Sequence, residues 1–290
     1  MYVLSRREPK LCVGRMALRL LAYAAFSRSG GSPVIRCLLH ALRTHSNELL
    51  QQGLHPAVLH IGANLAFGNH NDPIRDLYDG VTISQVQFVL VEPQSRIASR
   101  LRNMTRNMPM VHVENAVVCA EADSGQDVPF YEIDMDKVAA MKKAPIFFVK
   151  NGQVASLNRS HIVDTSRRFV PEIDSLIRQI KLPCLSVASV LRRYSIGSRD
   201  LAGLIIDAEG YDATILASIN WMDAWLRPKV LVFERLGMTS GMRASWENRL
   251  RKELGYSCSS LLDAENIWCE QTGGRPTPSL TRAPLTCLPS

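Results

Sequence analysis

The most informative part of this chain reads Leu201-Ala-Gly-Leu-Ile-Ile-Asp207-Ala-Glu209-Gly210-Tyr-Asp212. An unbroken apolar run of this length is typical of a strand that helices cover on both faces, as in a parallel sheet. Acids directly after such a strand lie at the carboxyl edge of the sheet, where open α/β sheets bind their ligands. Gly210 permits a sharp turn into the next helix, and Asp212 is the predicted N-cap of that helix.

Similar apolar runs and helical patterns alternate on both sides of this stretch. The predicted strands, besides Leu201–Ile206, are Ala57–Ile61, Val86–Val91, Met110–Val113 with Ala116–Val118, and Val230–Phe233. The predicted helices are Pro73–Tyr78, Ser95–Asn107, Val187–Tyr194, Ala213–Asp223 and Met242–Leu254. This alternation predicts an α/β fold, a doubly wound and mostly parallel sheet with helices on both faces.

The region between the two halves of this pattern does not alternate in the same way. Val128–Ile133 is predicted as a strand at the margin of the sheet, and a helix is predicted around Pro171–Ile180. We expect residues 134–182 to form an insertion that covers the ligand end of the sheet and helps to select the substrate.

Charge and composition divide the chain into three predicted parts: a basic extension at 1–48, a domain at 49–270 and a disordered tail at 271–290. Residues 1–48 hold eight basic side chains against two acidic ones, out of a net charge of +7 for the whole chain. The nearly neutral domain gives no electrostatic reason to expect a nucleic-acid surface. The tail is rich in Pro, Thr and Ser and lacks a core-forming pattern.

The basic extension has two open interpretations. The apolar run from Met16 to Phe26 contains Arg19 and is too short to span a bilayer, which takes about 20 apolar residues. The extension is either a transit-like segment, which predicts a mitochondrion or plastid, or a helix packed on a cytoplasmic domain. No transmembrane segment is predicted.

The seven cysteines have neither C-x-x-C nor Cys/His metal spacing. They are therefore predicted to be reduced, buried apolar residues, and no metal site is expected.

Two residues at predicted strand ends suggest an adenosine-containing ligand. Gly62 follows the first strand, where a glycine permits a tight turn and a close approach of the backbone to a ligand. Glu92 follows the second strand and can accept both hydroxyl hydrogens of a ribose. A carboxylate in that place is compatible with S-adenosylmethionine or NAD and unfavourable for NADP.

These residues resemble the FkbM-type S-adenosylmethionine-dependent methyltransferases over about residues 57–270. The matching segments are Ile61-Gly62-Ala63-Asn64, Asp72-Pro73-Ile74, Val91-Glu92-Pro93, Ser156–His161, Leu182–Ser186 with Val190-Leu191, Asp207-Ala-Glu209-Gly210 with Ile215-Leu216, and Val230–Glu234. The D-x-E-G block is the most specific part. His60 stands where many relatives have Asp, and Leu65-Ala66 stands where an acid and a glycine are usual.

The resemblance implies a Rossmann-like class I methyltransferase that transfers the methyl group of S-adenosylmethionine to a hydroxyl of a small-molecule, saccharide or lipid acceptor. It implies roles for eight residues. Gly62, Ala63 and Asn64 line the methionine end, Glu92 holds the ribose, and Asn115 lies near the adenine. Asp207 lies near the sulfonium, and Glu209 or His161 is the general base; the sequence does not decide between the two.

Two other classes of function remain open on the sequence. An NAD-linked oxidoreductase shares the glycine turn and the strand-ending acid, but it would have a tighter G-x-G-x-x-G spacing than Gly62, Ala66 and Gly68 supply. A catalytically silent binding module would keep the fold, and Ala66 in place of glycine is compatible with that alternative.

Overall fold

The computed structural model describes residues 33–64, 85–141, 155–168, 170–197, 199–221, 226–235, 238–260 and 266–271. The first elements in chain order are α1 (Pro33–Gln51), β1 (Ala57–Ile61), β2 (Gln87–Val91), α2 (Ser95–Thr105), β3 (Val111–Glu114), β4 (Val117–Val118) and β5 (Asp127–Ile133). They are followed by α3 (Met135–Ala140), β6 (Ala155–Ser156), α4 (Arg159–Ser166), α5 (Ile173–Leu176), β7 (Ile177–Leu185) and α6 (Val187–Arg193). The last are β8 (Leu201–Ile206), α7 (Asp212–Ser218), β9 (Val230–Glu234), α8 (Ser240–Lys252), β10 (Tyr256–Ser260) and β11 (Asn266–Gln271).

Seven strands form one mostly parallel sheet, in the order β10-β11-β9-β8-β1-β2-β3. Only β11 runs antiparallel to both of its neighbours. From β1 the chain builds outward through β2 and β3 on one side and returns to β8 and β9 on the other. The carboxyl ends of β1 and β8 therefore flank the point where the strand order reverses, which is where open α/β sheets form their ligand crevice.

The register of the sheet aligns the residues that follow three of its strands. Ile61, the last residue of β1, pairs with Val91 of β2 and with Ile206 of β8. The next residue of each strand is Gly62, Glu92 and Asp207 respectively. These three positions consequently lie side by side along one edge of the sheet.

Alternate residues of each strand pack under helices on opposite faces of the sheet. Side chains from one face pack with α1 and α2 in a core that includes Leu42, Val58, Phe88, Leu101 and Ile205. Side chains from the other face pack with α6, α7 and α8 in a core that includes Leu59, Val190, Leu204, Leu216 and Leu250. Each such fully buried side chain contributes roughly 1.5–3 kcal/mol to folding. The predicted α/β class, with helices on both faces of a mostly parallel sheet, is confirmed.

Helix α1 belongs to the folded domain, although the predicted domain boundary lies after residue 48. Its Leu38, Ala41 and Leu42 are buried in the core that contains Val58 and Ile205. This packing agrees with the interpretation of the extension as a helix packed on the domain. The predicted transit-like region up to residue 32 and nearly all of the predicted tail lie outside the described residues. Within the part of the chain that the structure describes, no helix is long and apolar enough to cross a membrane.

A second, smaller sheet has the strand order β4-β7-β5-β6. The prediction that Val128–Ile133 is a strand is confirmed, but the strand belongs to this sheet and not to the margin of the main one. The helix predicted over Pro171–Ile180 is wrong beyond Leu176, because β7 begins at Ile177. Strand β7 pairs with β5 from Ile177 to Pro183, and this long-range pairing overrides the local helical pattern.

Within the described residues, four cysteines are joined in two disulfides, which contradicts the prediction that the cysteines are reduced. Cys119 is bonded to Cys184, and Cys258 is bonded to Cys269. The first bond links cysteines 65 positions apart in the chain. The strands bring these side chains together, so the spacing of the cysteines in the sequence gave no sign of the pairing.

Candidate functional site

The backbones that follow β1 and β8 touch at Gly62. Gly62 has a φ of +75°, and its N–H donates to the carbonyl of Val91 at 2.9 Å. A β-carbon on residue 62 would overlap the carbonyl oxygen of Asp207 and lie 2.8 Å from its carbonyl carbon. Both the positive φ and the close approach require glycine here.

The carboxylate of Glu92 organises the loops that follow β1 and β2. One oxygen accepts the N–H of Asn64 and the other accepts the N–H of Gln94, each at 2.8 Å. Asn64 has a φ of +44°, a left-handed conformation that asparagine tolerates better than most residues. Burial raises the pKa of Glu92 to about 7, because the loss of solvation outweighs the two hydrogen bonds.

Asn115 supports the loop that carries Glu92. Its side-chain amide donates to the carbonyls of Glu92 and Pro93 at 3.0 and 2.8 Å, and its carbonyl accepts the hydroxyl of Ser95 at 2.9 Å. Both amide hydrogens are thus used within the protein. Asn115 holds the loop from behind and does not line the cleft, and its predicted position near an adenine remains a prediction.

Asp212 joins the loop after β8 to the end of β9, whereas the sequence predicted it as the N-cap of α7. It is the first residue of α7 and is almost fully buried. One carboxylate oxygen accepts the N–H of Glu234 at 3.0 Å and the other accepts the N–H of Ala208 at 3.2 Å. Burial raises the pKa of Asp212 to about 7. The cap prediction fails because the carboxylate reaches the backbone of another strand, which local sequence does not reveal.

The D-x-E-G loop holds Glu209 and Gly210 in left-handed backbone conformations. Glu209 has a φ of +48°, and its carbonyl accepts the hydroxyl of Ser156 at 3.2 Å. Such a conformation costs a non-glycine residue about 1–2 kcal/mol, and strain of this kind is typical of functional sites.

The imidazole of His161 lies against this loop. Its Nε2 is 3.6 Å from a carboxylate oxygen of Glu209, and this buried nitrogen has no hydrogen-bond partner among the described residues. A β-carbon on residue 210 would lie 2.9 Å from the Nδ1 of His161. Gly210 therefore leaves the space that the imidazole occupies beside Glu209.

A cleft that is open to solvent runs along the edge of the sheet where these loops meet. The acidic residues Glu92, Asp207 and Glu209 line it, and no basic residue does so within the described part of the chain. Its apolar wall combines main-sheet residues with the second sheet, including Ala116, Val117, Val118, Phe130 and Leu157. This cleft combines the apolar wall and convergent polar groups that are typical of a site for a small organic ligand.

The structure brings five of the eight residues singled out from the sequence to this cleft. Gly62, Asn64, Glu92, Asp207 and Glu209 line it. Ala63 is fully buried in the core beside it. Asn115 and His161 contact lining residues from outside. Ala66 and Gly68, on which the alternatives depended, lie outside the described residues.

Sequence reasoning missed the apolar wall and Ser156. The sequence assigned the wall residues Val117, Val118 and Phe130 only to strands. Their place in the cleft depends on tertiary packing, which brings the second sheet against the acidic edge of the main sheet. The signal for Ser156 was present, since it begins the Ser156–His161 segment, and its hydroxyl bonds the D-x-E-G loop.

The buried His60 is neutral, because loss of solvation lowers its pKa to about 3. It pairs with Leu90 and Ile205 in the middle of the sheet and does not line the cleft. An acid at this position would therefore face the same loss of solvation.

The arrangement can hold a cationic or neutral organic ligand and can accept a proton at Glu209. Among the described residues, no group of three or more His, Cys, Asp or Glu side chains is arranged to hold a metal ion. Comparison of the chain with protein-family models finds no match, and comparison with curated proteins finds none either.

Proposed function

We propose that this protein is an S-adenosylmethionine-dependent O-methyltransferase of the Rossmann-like class I type, as its resemblance to the FkbM family implies. The observation that carries the proposal is the acid-lined cleft at the point where the strand order reverses. Three acidic residues, Glu92, Asp207 and Glu209, line this cleft. Such a lining favours a ligand with positive charge and disfavours the pyrophosphate of NAD.

The residues present fit the parts of such a ligand. Gly62 lets backbone approach the ligand closely, and Asp207 offers a carboxylate to the cationic methionine end. Each carboxylate oxygen of Glu92 accepts one backbone hydrogen bond, so each oxygen keeps a lone pair that can accept a ribose hydroxyl. Val117, Val118 and Phe130 form an apolar wall that suits an adenine ring.

S-adenosylmethionine would supply an electrophilic methyl group on a cationic sulfur. The protein then has to align an acceptor hydroxyl with that methyl group, exclude water and remove the hydroxyl proton. Glu209 lines the cleft, so we assign it as the proton acceptor. His161 lies behind Glu209, and we assign it as a positioning residue that stabilises the carboxylate side chain.

Binding measurements test the ligand class. Calorimetry with S-adenosylmethionine, S-adenosylhomocysteine and NAD is expected to show binding of the first two only. Asp207→Asn should weaken S-adenosylmethionine binding by about tenfold, the equivalent of about 1.4 kcal/mol. Asp127→Asn is the matched control, because Asp127 is an exposed acid outside the cleft. Binding of NAD alone would make the protein an oxidoreductase candidate, and binding of none of the three would favour a silent module.

Turnover measurements test the assignment of Glu209. With a labelled methyl donor and fractionated extracts as the source of acceptor, Glu209→Gln should lower kcat by about 100-fold or more and leave donor binding nearly unchanged. His161→Ala should lower kcat less, and Glu172→Gln, an exposed carboxylate elsewhere, should have no effect. Full activity of Glu209→Gln would exclude it as the base.

A further inference from the structure

The Cys119–Cys184 disulfide lies directly behind the apolar wall of the cleft. Cys119 follows β4, whose Val117 and Val118 line the cleft. Cys184 lies in β7 and is the register partner of Val117. Both cysteines are buried in a small core that also contains Phe130, another wall residue.

Strand β4 is short and has few other connections to the second sheet. It consists of two residues and pairs with β7 only through Val117↔Cys184 and Val118↔Leu185. One further backbone hydrogen bond, from the N–H of Cys119 to the carbonyl of Leu185 at 3.1 Å, continues the pairing. A covalent bond at this point therefore adds a substantial restraint to a weakly paired strand.

We propose that Cys119–Cys184 is a structural disulfide that fixes the apolar wall of the cleft, so that full ligand affinity requires the oxidised chain. The ligand-affinity part of this inference rests on the proposed function. The existence of the disulfide does not.

Formation of the bond requires an external oxidant. The two thiols lose two protons and two electrons as the S–S bond forms, and a disulfide-bearing exchange partner takes them up and becomes a dithiol. Once formed, the bond is inaccessible, since Cys119 and Cys184 are 2% and 0% exposed. Structural disulfides of this kind belong to proteins that mature in oxidising compartments. We therefore infer that this chain folds in such a compartment rather than in the cytosol.

The second disulfide provides a matched control. Cys258 and Cys269 are direct partners in the hairpin of β10 and β11, at one margin of the main sheet. Strands β9 and β8 separate this hairpin from β1, and neither cysteine lines the cleft. Loss of the Cys258–Cys269 disulfide should lower the stability of the protein and leave its ligand affinity unchanged.

A thiol count tests the pairing without any ligand. The full chain is equilibrated in oxidised glutathione buffer, denatured with an alkylating reagent and analysed by mass spectrometry and non-reducing peptide mapping. A linked peptide pair containing Cys119 and Cys184 is expected, with at most three of the seven cysteines alkylated. Seven alkylated cysteines, or linkage of Cys119 to a different cysteine, would overturn the proposal.

Ligand binding tests the role of the bond. Replacement of both Cys119 and Cys184 by Ala should weaken S-adenosylmethionine binding by about tenfold, while replacement of Cys258 and Cys269 by Ala should leave it unchanged. Equal affinity in all three proteins would overturn the role in the cleft. If the wild-type chain binds none of the ligands, the proposed function fails, and the thiol count still decides the disulfide. Far-UV circular dichroism identifies a variant that is unfolded, in which case the same comparison is made between oxidised wild-type protein and wild-type protein that has been unfolded, reduced and refolded in the presence of dithiothreitol.

Discussion

The backbone of Gly62 lies against the carbonyl group of Asp207, so closely that no side chain fits between them. This contact joins the loops after β1 and β8 at the point where the strand order of the sheet reverses. It also brings the backbone of Asp207, another residue that lines the cleft, next to the turn at Gly62. The shape of the cleft thus depends on the absence of a single carbon atom.

Gly62→Ala is expected to destabilise the protein and abolish ligand binding. The added β-carbon would overlap the Asp207 carbonyl, and the φ of +75° is unfavourable for alanine. Together these effects should lower the free energy of unfolding by about 2–5 kcal/mol. Gly53→Ala is a matched control, because Gly53 has a φ of +74° but open space around it. Gly53→Ala should lower the free energy of unfolding, measured by chemical denaturation, by only about 1–2 kcal/mol. Equal losses for the two variants would show that the contact with Asp207 is unimportant.

The affinity for S-adenosylmethionine is expected to rise with pH around neutrality. Burial raises the pKa of Glu92 to about 7, so its carboxyl group is partly protonated at neutral pH. A cationic ligand favours the carboxylate, and binding should therefore strengthen from pH 6 to pH 8, by at most about tenfold per pH unit below the pKa. Calorimetry at both pH values checks this. Glu92→Gln should bind more weakly at pH 8 and lose the pH dependence; an unchanged dependence would assign it to another group.

Asp212→Ala is expected to loosen the D-x-E-G loop. The substitution leaves the N–H groups of Ala208 and Glu234 without their acceptor, and each such loss costs about 1–3 kcal/mol. Thermal unfolding should show the loss of stability. If Asp212 also positions Glu209, kcat should fall more than donor affinity. A stable variant with unchanged kcat would contradict this role.

Asp212→Asn tests the titration of the same group. The pKa of Asp212 is raised from 3.8 to about 7, so between these values the folded state holds more protons than the unfolded state. The contribution of Asp212 to stability therefore falls as pH rises through that window. The stability of Asp212→Asn relative to wild type should improve from pH 4.5 to pH 7.5 in urea unfolding. His60, whose lowered pKa acts in the opposite direction, is present in both proteins and cancels.

His45 is expected to stabilise the docking of α1 at acidic pH. Its imidazole lies between two carboxylates, 2.9 Å from Glu270 and 3.0 Å from Glu48. The hydrogen bond with Glu270 is the main cause that raises the pKa of His45 above 6.5. The stabilisation is therefore fully present below pH 6.5 and is lost as pH rises through the raised pKa. His45→Gln should lower Tm at pH 5.5 and have little effect at pH 8.5. A constant difference at both values would exclude a charged His45.

Much of the main sheet could be predicted from local sequence. The bounds of β1 and β8 agree with the prediction residue for residue, because each apolar run ends at a residue that breaks the pattern, Gly62 after β1 and Asp207 after β8. The same pattern indicated that Gly62, Glu92 and Asp207 follow strands. The hairpin of β10 and β11 was not predicted, since Tyr-Ser-Cys-Ser-Ser over Tyr256–Ser260 has little apolar character.

What the sequence alone determined is the α/β class and the set of acids and glycines at the ends of strands, because these follow from the identity and order of neighbouring residues. Only the tertiary structure decided that Ile61 pairs with both Val91 and Ile206, that β7 closes a second sheet over the cleft, and that Cys119 meets Cys184. It also decided that Asp212 binds the backbone of Glu234 rather than capping its own helix. These contacts join residues 22 to 145 positions apart in the chain, and their free energy depends on the packing of the whole domain, which no local pattern encodes.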